Sequence, residues 1–151
     1  CHPKWLASKP ALFWGFWGQC FNDYRSTPPH EGYDIISRWA ERRFRHSDFA
    51  QAVRRRLDRA GWPREAADDP MVPYPTTGRP GAFFAFTSNV DAHHFDWFDA
   101  AEVRECHGNI ELYQCAGKPA CRRIWRAPAD FRFDVDRRTM LAPSGPPAPP
   151  G

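Results

Sequence analysis

The feature that most constrains the fold is a short aromatic run, Phe83 to Thr87, that ends in a cluster of polar residues. The run is continuous rather than alternating, which favours a strand buried on both faces in a parallel sheet covered by helices. The cluster Thr87-Ser88-Asn89-Val90-Asp91 follows it directly. Ligands in open α/β sheets bind beyond the carboxyl ends of the strands, so this cluster is a candidate ligand site. An Asn-x-Asp sequence after a strand is also typical of an ordinary turn or helix cap.

A second short strand is predicted over Glu102 to Cys106, and it leads into His107 and Gly108. Histidine titrates near neutral pH and the glycine beside it leaves room for a substrate, so His107 is a candidate general base. A structural histidine is the competing interpretation. The pair His93-His94 does not predict a metal site, because adjacent side chains on a strand or helix point in different directions. We interpret the pair as a wall of the site or as solvent-facing.

Three helices are predicted ahead of these strands. The first runs from Ala11 to about Tyr24, where apolar residues recur at helical spacing, and its Gly15 and Gly18 weaken it but permit close packing. The second runs from Pro28 to Phe44, with Thr27 as its N-cap.

The third helix is expected to begin at Ser47-Asp48, to end near Ala60 before Gly61, and to turn its apolar residues inward: Phe49, Val53 and Leu57. Trp62 to Gly81 is rich in Pro, Gly and Asp, which indicates an insertion or a functional loop. Ile110 to Gln114 alternates apolar and polar residues, as in a half-exposed strand. Pro143 to Gly151 is a Pro/Ala/Gly stretch that is expected to be extended or disordered. Together the elements predict an α/β domain that is short of strands.

Composition narrows the functional classes. The net charge of +3 is small and the arginines are scattered, so nucleic acid is not an expected partner. No apolar run approaches the length of a membrane span and no leader sequence is recognisable. Five cysteines without a framework spacing favour a reducing, intracellular compartment. The chain opens on Cys1 rather than Met, so we expect that this is not a native N-terminus.

Cys115 and Cys121 flank Gly117-Lys118-Pro119, a loop that could bring two thiolates to one metal ion. A structural zinc site requires four ligands. A half-site and a pair of free thiols are therefore both open.

Taken together, these segments resemble the sirtuin (Sir2-like) family of NAD-dependent protein deacylases. Phe84 to Asp91 is similar to the family's strand followed by Thr-Gln-Asn-x-Asp, and Val103 to Ile110 is similar to its catalytic histidine segment. Leu112-Tyr113-Gln114-Cys115 resembles the entry into the family's zinc module, and Pro29-His30-Glu31-Gly32-Tyr33 its Pro-led helix. The resemblance covers residues 3–136, with a long loop at 62–81, and leaves 137–151 as a Pro-rich tail.

The resemblance implies a partial Rossmann-like sirtuin domain, with helices before a short parallel sheet and part of a zinc-binding module. It implies that Thr87, Ser88, Asn89, Val90 and Asp91 bind NAD, with Asn89 on the ribose and Val90 and Asp91 near nicotinamide. His107 would be the base that deprotonates a ribose hydroxyl while an acyl-lysine protein substrate transfers its acyl group to ADP-ribose. Cys115 and Cys121 would be the first pair of ligands to a structural zinc ion.

Several residues depart from the family pattern. Ser88 replaces the common Gln, Ala92 the Gly after Asp91, and Asn109 a Ser or Thr, while Tyr33 stands where many members have His. The spacing from Cys115 to Cys121 is longer than Cys-x-x-Cys. The sequence contains no Gly-Ala-Gly-x-Ser phosphate loop, no second cysteine pair and no late Gly-Thr-Ser segment. We therefore expect the central part of a sirtuin domain, with no turnover on its own.

Two classes of function remain after the resemblance. One is an enzyme, an NAD-dependent protein deacylase that is active in a complete parent chain. The other is a catalytically inactive scaffold or interaction subunit of a larger assembly, in which exposed aromatic residues serve a partner interface.

Overall fold

The computed structural model describes residues 2–61, 81–117 and 123–149, and these form two compact units. One unit spans residues 29–109, and the other combines residues 1–28 with 110–151. Helices, a parallel strand pair and an antiparallel strand pair make the fold mixed α/β. Within the described ranges, no helix combines the length and the apolar character that are needed to cross a membrane.

The unit of residues 29–109 contains the predicted parallel strands. Its elements are α3 (Gly32–Arg43), α4 (Asp48–Arg59), β1 (Ala85–Thr87), β2 (Val103–Glu105) and two short 3-10 helices, His93–Asp96 and Ala100–Glu102. β1 pairs with β2 in parallel, with Ala85 opposite Val103 and Thr87 opposite Glu105. Tyr33, Ala40 and Phe98 form the core of the unit, and Phe83, Trp97 and Val103 pack against it.

A buried ion pair fixes the connection between the helices and the strands of this unit. Arg45 Nη2 donates to Glu102 Oε2 over 2.8 Å, and the Gly81 backbone N–H donates to Glu102 Oε1 over 2.8 Å. Glu102 also closes a capping box with Asp99 on the 3-10 helix that leads into β2. The carboxylate therefore satisfies several donors at once, as a buried charge requires.

The other unit is built on α1 (Lys4–Ser8), α2 (Pro10–Ser26) and the antiparallel pair of β3 (Leu112–Gln114) and β4 (Ile124–Arg126). Phe21, Ala127 and Phe133 form its core. The close packing predicted for Gly18 is confirmed, because a Cβ there would lie 2.6 Å from the Phe133 ring. The stretch predicted as a tail contributes to this unit: Ala142 N donates to Ala11 O over 2.9 Å and Trp125 Nε1 to Pro147 O over 2.8 Å.

The three predicted helices are present as α2, α3 and α4, while α1 was not predicted and the start of the second predicted helix is wrong. α3 begins at Gly32 rather than Pro28. Thr27 is not its N-cap but the C-cap of α2, where its N–H donates to Asp23 O. The His30 ring accepts from Gly32 N over 3.0 Å, so a turn closed by the His30 side chain leads into the helix. The prediction for α4 is confirmed at its start, where the Ser47 hydroxyl accepts from Ala50 N over 3.1 Å.

The predicted burial of the central strand on both faces is wrong. Phe86 is 71% exposed and Phe84 is 59% exposed, while Phe83 packs into the core. Phe49 of α4, expected to face inward, is 68% exposed. Successive side chains of a strand point to opposite faces, so the aromatic run divides between a core face with Phe83 and an exposed face with Phe84 and Phe86. The predicted loop at 62–81 lies outside the described residues apart from Gly81.

Candidate functional site

The carboxyl ends of β1 and β2 meet at one edge, as parallel pairing requires. Thr87 is the register partner of Glu105, and Cys106 N donates to Thr87 O over 3.0 Å beyond the last pair. The chain then leaves β1 through Ser88 and leaves β2 through His107. The two segments that the sequence singled out separately, 87–91 and 105–109, therefore depart from the same end of the sheet.

The segment after β1 folds into two consecutive side-chain turns. Asn89 N donates to Thr87 Oγ1 over 3.1 Å, and His93 N donates to Asp91 Oδ1 over 3.0 Å. Ser88 and Asn89 are exposed, and Val90 and Asp91 are half-buried. The interpretation of Asn-x-Asp as an ordinary turn is thus correct for the local backbone. It leaves the Asn89 amide accessible at the edge of the sheet.

Ala92 occupies a left-handed backbone conformation with φ of +66°. This region costs an L-residue energy because Cβ crowds the following carbonyl, and glycine avoids that cost. Ala92 is also buried, with 8% of its surface exposed. The glycine expected at this position from the resemblance therefore has a conformational reason, and Ala92 accepts the strain to make the turn into the 3-10 helix.

Aromatic rings form a wall beside this segment. Tyr33 on α3 stacks on Trp97 with ring centroids 5.0 Å apart, and His94 lies edge-on to Tyr33 at 5.1 Å. Trp97 Nε1 donates to Asp34 Oδ1 over 2.6 Å, which fixes the indole. Burial and the nearby Asp91 carboxylate raise the pKa of Tyr33, and the Asn89 side chain opposes that shift. Tyr33 is therefore a neutral phenol next to Asn89 and Asp91.

His94 lies within this wall, in agreement with one of its two sequence interpretations. Burial lowers its pKa, and the Asp91 carboxylate opposes that shift in part. The imidazole is consequently neutral at physiological pH. Its Nδ1 is buried and has no hydrogen-bond partner among the described residues.

His107 lies at the apex of the turn after β2 and is exposed. Gly108 makes the turn possible, with φ of +70°, and its N–H donates to Glu105 O over 3.3 Å. Among the described residues, none forms a hydrogen bond or an ion pair with the His107 ring. An exposed imidazole of this kind is available to a ligand, which fits the general-base prediction without testing it.

Glu105 is a site residue that the sequence analysis missed. Its Oε2 accepts from Asn109 Nδ2 over 2.6 Å, while Oε1 is buried without a partner in the described part of the chain. Burial raises its pKa to about 7, the Asn109 hydrogen bond opposes this, and the Asp91 charge adds to it. The signal available in the sequence was a glutamate as the last residue of a strand whose partner strand ends in a polar cluster.

Together these groups give the sheet edge a distinct chemistry. It presents the exposed amide of Asn89, the carboxylate of Asp91, the neutral imidazole of His94 and a carboxyl group that titrates near neutrality. Such an edge can hydrogen-bond a ligand that carries hydroxyl and amide groups, and it can hold or release protons at neutral pH.

The predicted metal ligands are not brought into a site by the described residues. Cys115 is half-buried and its Sγ accepts from Gly117 N over 3.4 Å. Cys121 lies outside the described residues. Within the described ranges, no group of three or more His, Cys, Asp or Glu side chains is arranged to hold a metal ion. Two thiolates fall short of the four ligands that a structural zinc site requires.

The chain matches no protein-family model, no curated protein and no solved structure in the three comparisons with known proteins.

Proposed function

We propose that residues 29–109 carry the nicotinamide-ribose half of a sirtuin-type, NAD-dependent protein deacylase site. The observation that carries the proposal is the parallel pairing of β1 with β2, which puts the 87–91 segment and the His107 turn at one end of the sheet. Two buried polar atoms near this edge, His94 Nδ1 and Glu105 Oε1, lack partners among the described residues. Buried polar atoms usually have a hydrogen-bond partner, so a bound polar ligand would explain why both atoms lack one in the described chain.

His107 is the general base of the proposed reaction. Bound NAD would supply the anomeric carbon from which nicotinamide departs when the oxygen of an acyl-lysine substrate attacks. The exposed imidazole can then take a proton from a ribose hydroxyl, since a histidine ring nitrogen is a proton acceptor of the kind that general-base catalysis uses. Gly108 adds no side chain beside it, which leaves the approach to the ring open.

Asn89 and Asp91 are the proposed binding residues. Asn89 is exposed and carries both donors and an acceptor, so its amide can hydrogen-bond ribose hydroxyls. The half-buried Asp91 carboxylate suits the carboxamide and the positive charge of a nicotinamide ring. Thr87 Oγ1 accepts from Asn89 N and so orients this segment rather than the ligand. Ser88 and Val90 flank Asn89 and complete the binding segment of the proposal.

The phosphates of NAD have no glycine-rich cradle in this sequence. Backbone donors at such a loop provide much of the anion site, so NAD binding by this chain should be weak, with a dissociation constant on the order of 1 mM. For the same reason, we expect no turnover from these 151 residues alone.

Under the proposal, Cys115 and Cys121 contribute two thiolates to a structural zinc ion. Metal analysis of the purified protein, with Cys115→Ser as a control, would test this.

An NMR titration of the ¹⁵N-labelled chain with NAD tests the proposal. Shifts confined to residues 87–91 and 105–109, and lost in Asn89→Ala, are expected. Ser37→Ala on α3 is a matched control that should leave the titration unchanged. The absence of shifts at this edge, in a chain that is folded by circular dichroism, would contradict the proposal.

A scaffold without catalysis is the second candidate, and exposed aromatic residues favour it. Phe84, Phe86, Trp39 and Phe49 of this unit are each more than half exposed. Large apolar side chains in solvent are typical of surfaces that bind a partner. An absence of NAD-induced shifts, together with self-association or partner binding that is lost in Phe86→Ser, would favour this function over the enzyme.

A further inference from the structure

A hydrogen bond between the side chains of Glu105 and Asn109 closes the turn that presents His107. Glu105 is the last residue of β2, and Asn109 Nδ2 donates to its Oε2 over 2.6 Å, four residues further along the chain. The Glu105 carbonyl accepts from Gly108 N within the same turn. We name this pair of residues, Glu105 and Asn109, the clasp. It spans Cys106, His107 and Gly108, all three of which are exposed.

The clasp is held at one end by the sheet. Glu105 is paired with Thr87 in the parallel register, and Cys106 N donates to Thr87 O. The other end, Asn109, is half-buried. Backbone hydrogen bonds from Cys106 N to Thr87 O and from Gly108 N to Glu105 O restrain the turn, and the Asn109–Glu105 hydrogen bond adds a side-chain restraint that bridges its two ends.

We propose that Glu105 is a positioning residue, which acts through Asn109 to hold the turn that presents His107 at the carboxyl ends of β1 and β2. This inference rests on the proposed function for its catalytic meaning, because only there is His107 the base. The clasp itself does not depend on NAD. It gives Glu105 a role in orienting His107 rather than in contacting the substrate.

Ionisation of Glu105 modulates the clasp. A hydrogen bond to a carboxylate is shorter and stronger than one to a neutral carboxyl group, so the clasp tightens as Glu105 loses its proton. Burial raises the pKa of Glu105 to about 7. Ionisable groups on the neighbouring segments are Asp91, His93 and His94 after β1, Tyr33 on α3, and Cys106 and His107 in the turn. Of these, the charge of Asp91 acts on Glu105, and it acts in the same direction as burial. The turn should therefore be better ordered above about pH 7 than below it.

Backbone ¹⁵N relaxation of the ligand-free chain at pH 8 tests the clasp. Order parameters at residues 106–108 should be about 0.85 in the wild type and fall below about 0.6 in Glu105→Ala and Asn109→Ala. Glu105→Gln keeps an acceptor for Asn109 but not the charge, so its values should lie between those of the wild type and those of Glu105→Ala. If Glu105→Ala fails to fold, Asn109→Ala still decides the result, because it removes the donor and leaves the strand intact.

A pH titration separates positioning from simple stability. The Asn109 side-chain amide resonances should shift with a midpoint of about 7 in the wild type, and this transition should vanish in Glu105→Gln. Unchanged order at 106–108 in both alanine variants would overturn the proposal. So would a Glu105→Gln turn as mobile as that of Glu105→Ala. Neither readout uses NAD, so a failed clasp is distinguishable from failure of the proposed function.

Discussion

Glu105 and Glu111 are close in sequence but belong to different units, and the surroundings of their carboxyl groups are opposite in kind. Glu111 is buried, and Arg25 binds it through two hydrogen bonds, 2.6 Å from Nη2 and 2.8 Å from Nε. Arg126 lies 3.9 Å from the same carboxylate. Glu105 has an amide in place of an arginine, and one of its oxygens has no partner in the described chain.

The difference separates a carboxylate whose partners are complete from one whose partners are not. Arg25 also donates to the carbonyl groups of Pro128 and Phe131, so the Arg25–Glu111 pair joins α2 to the chain after β4. A buried charge with matched partners stabilises a unique packing. A half-buried carboxyl group without a countercharge destabilises the fold when it ionises, and such groups concentrate at sites that bind or react. The edge of the parallel sheet is the second kind of environment.

The largest expected effect is the loss of the structural charge pair. Arg25→Ala leaves the Glu111 carboxylate buried without its main partner, and we expect it to lower the free energy of unfolding by about 3 kcal/mol. Urea unfolding followed by circular dichroism would measure it. Arg126→Ala is the matched control: its side chain is 39% exposed and more distant from Glu111, so its effect should stay below about 1 kcal/mol. Equal effects of the two variants would contradict the structural role of the pair.

Replacing the Glu105 carboxyl group should change the free energy of unfolding in the opposite direction. The folded protein binds the Glu105 proton more tightly than the unfolded chain does, so its contribution to stability is present below pH 4.5 and is lost as the pH rises to about 7. Glu105→Gln cannot ionise, so the variant does not lose this stability as the pH rises. Since the side chain is only half-buried, we expect a gain of about 1–2 kcal/mol at pH 8 and little change at pH 4. A gain of the same size at both pH values would show that ionisation is not its cause.

The smallest effects are expected at Ala92, in the turn between residues 87–91 and the 3-10 helix. Ala92→Gly relieves the left-handed strain of about 1 kcal/mol, but it loses a buried methyl group and makes the unfolded chain more flexible. The net change should stay within about 0.5 kcal/mol. Ala92→Val adds a β-branched side chain at φ of +66° and should cost about 2 kcal/mol. Thermal unfolding of both variants would check the contrast, which equal destabilisation would contradict.

The sequence predicted the two strands of the candidate site better than it predicted the burial and the charges around them. Continuous apolar residues before Thr87 and a histidine-glycine pair after Cys106 correctly placed two strands whose ends converge. The exposure of Phe84 and Phe86 was not predictable from that run, because it depends on whether another element covers that face of the sheet. Glu105 was missed because its raised pKa comes from burial and from Asp91, and neither is visible in local sequence. Similarly, Thr27 before Pro28 is typical of an N-cap, but the next helix begins only after the turn at His30.

Titration of the Glu105 side-chain carboxyl group by ¹³C NMR, without and with NAD, tests the central claim that this sheet edge is a ligand site. We expect a midpoint of about 7 in the free chain. A lower midpoint is expected with NAD, because the positive nicotinamide ring near Asp91 favours the ionised carboxylate. A midpoint near 4.5 in the free chain, the ordinary value for glutamate, would contradict the unsatisfied environment of Glu105. A midpoint of about 7 that saturating NAD leaves unchanged would contradict the ligand site.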